Sequence, residues 1–230
     1  VQQRLEGQML QYLKKGTSDA VSTTLSFWVK SNKTGTCICE LQDVDNNRQI
    51  SKSYTISSAD TWEKKEITFA GDTTGALDNN NARSLDCSFY LAAGSNLSSG
   101  TLSTTWTAKT DANRAVGQVN LADSTSNEWY VTGVQLEAGT SASDFEFLPV
   151  DVNTTRCKRY FFTNTGSGGQ VGYAPSIGDN YRHELYYYPT EMRAAPTLTI
   201  VWGGGTNAGS QYNNTQTVDI FVDMGNTTSI

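Results

Sequence analysis

Apolar residues recurring at every second position, in short runs cut apart by clusters of Gly, Asn, Asp and Ser, constrain this chain most. Leu25, Phe27 and Val29 alternate with Thr24, Ser26, Trp28 and Lys30. Cys37, Cys39 and Leu41, then Ile50, Tyr54 and Ile56, then Ile67 and Phe69, and Leu85, Cys87, Phe89 and Leu91 repeat the pattern. A period of two places one set of side chains on a buried face and the other on a second face. Turn formers at Asn32–Gly35, Asp43–Asn47 and 71–81 separate the runs, and the last of these loops reads as too polar to bury. Even spacing without intervening helical patterns predicts an all-β protein with a sandwich architecture. No internal repeat is visible, which excludes a solenoid.

The stretch from Glu128 to Phe162 joins two regions. Its first part predicts a strand over 129–137, with Tyr130, Thr132, Val134 and Leu136 on one face and Trp129, Val131, Gly133, Gln135 and Glu137 on the other. A turn-rich segment to Asp144 ends it. Phe145 and Phe147, two apart, are expected to plug the edge of a β core. Residues 151–157 suit a short helical turn, and Arg159–Phe162 reads as the start of a new strand. These features predict a first domain over 1–149, a connector over 150–158 and a smaller C-terminal β domain over 159–230. In the latter, His183–Tyr188, Thr197–Trp202 and Val218–Val222 read as strands, and the Asn/Gln/Thr tract up to Thr217 reads as a loop. A unit of that size is marginal alone and is expected to complete its core by pairing with other copies.

The strings TGVQLEAGTSASDFEFLP and RCKRYFF resemble a junction found in tail-fibre and other virion proteins of tailed bacteriophages, especially marine ones. LSFWVKS at Leu25–Ser31, Lys33–Gly35, Trp62–Lys65, Ala70–Thr73 and Leu91–Ser95 add to the resemblance, with a weaker echo at Met192–Pro196. The resemblance implies a carbohydrate-binding-module-like jelly roll built into a phage particle, followed by the smaller β domain. It also implies contact with other virion proteins, a homo-oligomer that is a trimer by the fibre analogy, and noncovalent recognition of a host-surface glycan. Jelly-roll modules of this kind often hold a structural calcium, and Glu6, Glu137 and Asp144 stand at positions resembling its ligands. The Asp43–Asn47 and Asp72–Thr74 loops are alternative sources of oxygen donors.

Stacking of sugar CH groups on aromatic faces makes Trp28, Tyr90 and Trp106 candidates in the first domain, and Tyr186, Tyr188 and Trp202 in the second. The same rings suit packing between domains or subunits. Residues 94–127 are rich in Ser, Thr, Ala and Asn, and such a long weakly apolar stretch reads as a binding or contact loop.

Catalysis finds little support. The single His183 lies in a Tyr-rich segment without a nucleophile motif, and no spacing singles out a carboxylate pair among the 23 acids. A net charge of −6 argues against nucleic acid as a partner. No run of about 18 apolar residues suggests membrane insertion. The chain opens on Val1 with a polar segment, so no signal peptide is expected and the sequence reads as a fragment or a trimmed product. The four cysteines, Cys37, Cys39, Cys87 and Cys157, are expected as buried free thiols.

Overall fold

The computed structural model describes residues 1–163, 181–198 and 207–223. Two compact units make up the chain, Val1–Glu146 and Phe147–Ile230. The described elements are mostly antiparallel strands, so the fold is all-β.

The first unit contains β1 (Gln2–Glu6), β2 (Thr23–Ser31), β3 (Gly35–Asp43), β4 (Arg48–Ile56), β5 (Glu63–Phe69), β6 (Arg83–Phe89), β7 (Thr107–Ala108) and β8 (Trp129–Ala138). One sheet runs β1-β6-β3-β4-β7 and the other β5-β2-β8. Their inner faces share one apolar core. Leu25, Phe27 and Val29 from β2 and Phe69 from β5 meet Cys37, Cys39, Leu41, Ile50, Ile56 and Leu85 from the larger sheet. Phe27 is the hub, with Tyr54 and Phe89 edge-on at 5.1 and 4.9 Å. Burying a side chain of this size is worth about 1.5–3 kcal/mol, so the period-two runs supply most of the cohesion.

Several expectations give way to the geometry. In β8 the alternation breaks at Gly133, where the backbone turns left-handed with φ of 57°. Ser26 pairs with Gln135 but Trp28 with Thr132, so Phe27 stands opposite two residues. This β-bulge reverses the phase of the strand. Trp129 and Val131 before it, and Leu136 after it, all pack on the core. Leu136 therefore does not share a face with Tyr130 and Thr132. The 71–81 loop is not wholly solvated, because Asp72 and Leu77 are buried. Cys37, Cys39 and Cys87 are buried free thiols, whereas Cys157 is exposed.

Residues 94–127 do not hang free. They include a single helical turn, α1 (Ser95–Ser98), and the edge strand β7, and Ser103 and Arg114 reach Gln49 and Glu40 on the outer face of the larger sheet. Val119 N donates to Thr36 O at 2.8 Å, Ile38 N to Gln118 Oε1 at 2.7 Å and Ser51 N to Ser103 O at 2.7 Å. Beneath this cover Ile38, Glu40 and Gln49 are fully buried, as is Ala115 within the cover itself.

In the second unit, α2 (Val150–Lys158) is a helix of nine residues rather than a single turn. Arg159–Phe162 is not a strand, and Tyr160 and Phe161 are exposed. Phe147 is 87% exposed rather than withdrawn into a core. The sheet of this unit is β10-β11-β9, from β9 (Tyr181–Tyr187), β10 (Asn207–Asn213) and β11 (Thr217–Asp223). β10 falls in the tract expected to be a loop. Of the strand expected over Thr197–Trp202, residues 197–198 are irregular and the rest lies outside the described residues. No helix among the described residues is long and apolar enough to cross a membrane.

Candidate functional site

The outer face of the three-stranded sheet carries a row of exposed rings. β2 sends Trp28 and Lys30 outward, and antiparallel register sets Trp28 between Thr132 of β8 and Lys64 of β5, with Lys30 opposite Tyr130. Trp28, Trp62 and Tyr130 are each more than two-fifths exposed. Rings left in water on a folded sheet are informative, since most large aromatics are withdrawn from it.

The rings are not equally open. Lys30 Nζ lies 4.8 Å from the Tyr130 ring centre and 5.7 Å from that of Trp62, so this ammonium already occupies a face of both. Trp28 stands apart from that clip. It borders a groove of about 160 Å³ lined by Ser26, Phe27, Trp28, Lys64, Gly133, Ser143, Asp144 and Phe145. A Cβ on Gly133 would meet the Trp28 ring at 3.5 Å and Phe145 at 3.8 Å, ordinary van der Waals contact, so the left-handed backbone rather than lack of room is what favours glycine here.

Phe145 reaches this place because residues 139–146 fold back along the sheet. Ser143 N and Oγ both donate to the Glu137 carboxylate at 2.8 Å, and Glu146 N donates to Gln135 Oε1 at 2.9 Å. Thr24 Oγ1 and Thr68 Oγ1 donate to the carbonyls of Gly139 and Thr140. The Ser143 backbone and hydroxyl, with Gln135, hold the Glu137 carboxyl below its usual range. Lys64 bonds Glu66 at 2.8 Å, and Glu66, with Asp144 and Glu137 further off, raises its pKa.

Other sequence candidates have structural partners. Tyr90 is half-buried and its hydroxyl donates to Glu40 Oε2 at 2.8 Å. Burial, reinforced by the Glu40 charge, drives its pKa up. Glu40 also takes Arg114 Nη2 at 2.7 Å and Nε at 2.9 Å, which ties the 94–127 cover to β3. Burial opposes the Arg114 charge, but Glu40 outweighs it and leaves the guanidinium pKa raised. Trp106 packs on the core, donates Nε1 to Ala70 O at 2.7 Å and lies 5.1 Å from Lys15 Nζ. Tyr186 stacks on Phe162 at 6.1 Å, and the Tyr188 hydroxyl donates to Asn213 Oδ1 at 2.8 Å. Trp202 lies outside the described residues.

The calcium candidates are not brought together. Glu6 is buried at the end of β1 and accepts from Gln8, while Glu137 and Asp144 belong to the smaller sheet and its returning segment. Among the described residues no three His, Cys, Asp or Glu side chains are grouped to hold a metal. The Asp43–Asn47 and Asp72–Thr74 loops do converge, on an ammonium. Lys15 is buried and bonds Asp43, Asp72 Oδ2 at 3.0 Å, Thr74 O at 3.1 Å and Gly75 O at 2.9 Å. Arg48 forks onto Asp72 at 2.6 and 2.9 Å. Burial alone would raise the Asp72 carboxyl, yet Arg48, Lys15 and the Thr74 N–H hold it below its ordinary value.

Sequence reasoning picked out Trp28 but missed Lys64, Gly133 and Phe145 as its neighbours, and Tyr130 and Trp62 as the rings that Lys30 covers. The signal was available only as cross-strand register, which single strands do not carry. No family model matches the chain, and neither a curated protein nor a solved structure matches it.

Proposed function

We propose that the chain is a structural protein of a tailed-phage virion, a tail fibre or fibre-like component. Its first unit is a carbohydrate-binding-module-like jelly roll that contacts host-surface glycan without covalent chemistry. The observation that carries this reading is Trp28, exposed on a flat sheet face beside Phe145 with Lys64, Ser143 and Asp144 around it. A ring face for sugar CH groups bordered by hydroxyl partners is what pyranose recognition requires. The turn-rich, weakly charged sequence and the resemblance to virion junctions supply the biological setting. In this reading the particle assembles in the host cytoplasm and the protein works as a homo-oligomer, a trimer by the fibre analogy.

A second reading, a capsid or tail decoration or connector protein that binds only other virion proteins, draws on a different observation. Phe147, Phe161 and Tyr187 in the second unit are 87, 72 and 67% exposed, an apolar display suited to protein contacts. Binding of the purified chain to an array of bacterial surface polysaccharides separates the two. Retention that Trp28→Ala abolishes supports glycan recognition. Indifference to every glycan, with a stable complex formed only with other virion proteins, sinks it in favour of the connector.

A further inference from the structure

We infer that the Trp28 groove is a single-ring subsite for an uncharged sugar residue, and that Glu66, Asp144 and Glu137 make it discriminate against uronic and sialic acids. The inference rests on the glycan reading and adds the chemical class of the ligand. It starts from size. A groove of about 160 Å³ is below the roughly 300–1,000 Å³ that encloses a drug-sized ligand, and suits one pyranose ring rather than a buried oligosaccharide. The second step is which rings remain open. Lys30 covers faces of Tyr130 and Trp62, which leaves Trp28, flanked by Phe145, as the stacking surface.

Charge decides the rest. Lys64 is the cation lining the groove, and it is bonded to Glu66 at 2.8 Å, with Asp144 and Glu137 close enough to act on it. An incoming carboxylate would have to share that ammonium with Glu66, which already offsets its charge, while approaching two further carboxylates. A neutral sugar meets neither cost, because its hydroxyls both donate to Asp144 and the Ser143 hydroxyl oxygen and accept from Lys64. Glu137 is itself fixed by Ser143 and Gln135, so its charge cannot swing away from an arriving anion. Such like-charge juxtaposition is a recognised source of specificity.

The test uses the whole chain with labelled Trp indole N–H groups, followed by NMR during titration with methyl glucoside, methyl galactoside and the corresponding methyl uronosides. At low salt the neutral glycosides are expected to shift the Trp28 signal at least about fivefold more tightly than the uronosides. The gap should narrow at high salt, where charges are screened. A Glu66→Gln variant, which leaves the groove lining unchanged, should bring the ratio toward one without weakening neutral binding more than about twofold. Equal or tighter uronoside binding at Trp28 overturns the inference while leaving glycan recognition intact. Glycan binding that proceeds unchanged in Trp28→Ala overturns the placement of the subsite. Absence of binding to any glycan, on the array as well as in the titration, removes the functional reading and this inference with it.

Discussion

The two sheets of the first unit treat their outer faces in opposite ways. The five-stranded sheet hides a polar face, with Glu40, Gln49, Ser51, Asp86 and Ser88 withdrawn from water. Its three-stranded partner leaves Trp28 and Tyr130 in water. Polarity alone would predict the reverse. The difference teaches that cover, rather than composition, decides what a sheet face meets: a buried polar layer holds a covering segment in place, and an uncovered aromatic row stays open to water.

The largest effect that would test this comparison is on the covered face. Arg114→Ala leaves Glu40 buried without its charge partner and is expected to lower stability by about 3–5 kcal/mol in urea unfolding. Protease sites within 94–127 should open in step with the global transition. Early cleavage at unchanged global stability would mean that the cover is a separate flap, and the comparison would fail.

Next comes the bulge that sets the open face. Gly133→Ala puts a side chain on left-handed backbone and should cost about 1–3 kcal/mol, weakening ligand binding by disturbing the bulge rather than by crowding Trp28. A variant as stable as the parent would show that β8 keeps its register without the glycine.

Trp28→Ala should lower stability by about 1 kcal/mol or less, since the ring is 42% exposed, yet abolish glycan retention. A large stability loss with binding intact would assign Trp28 to packing.

The smallest effect concerns the turn that carries the chain from β4 to β5, one sheet to the other. Glu63 accepts from Lys65 at 2.6 Å and from Ser58 N and Ser57 N at 2.9 and 2.8 Å. Lys65 first, then the Ser58 amide, bring its carboxyl from the ordinary 4.5 down to about 2. A depressed folded pKa stabilises above the unfolded value, and that contribution fades as pH falls from about 4.5 toward 2. The stability gap between the parent and Glu63→Gln, measured by denaturant midpoint, should therefore close on acidification through that window. A gap that stays constant would remove Glu63 from the acid response.

Strands β2 to β6 were legible because their core-facing residues are mostly apolar at period two, with Lys52 in β4 and Glu63 and Lys65 in β5 as the exceptions. The phase reversal in β8 was not, although Gly133 was in view, because a bulge shows only when the register against β2 is known. β10 escaped for a different reason. Its sequence, NAGSQYN, has no apolar alternation, and its ladder to β11 rests on backbone hydrogen bonds that every residue type offers. Of the candidate site, Trp28 was legible as an outward ring in a core strand. Phe145 was misread because spacing of two says that rings share a side without saying which. Tyr90 and Trp106 looked alike to Trp28 in sequence, and only Glu40, Ala70 and Lys15 show that they are already engaged.

Lys15 has a consequence for where this protein can work. Two acidic loops that would otherwise repel each other are held by a positive charge delivered on the chain itself, so its local concentration is fixed by covalent attachment. Dilution and chelators cannot wash it out. That end of the domain carries its own counter-ion into any medium it enters.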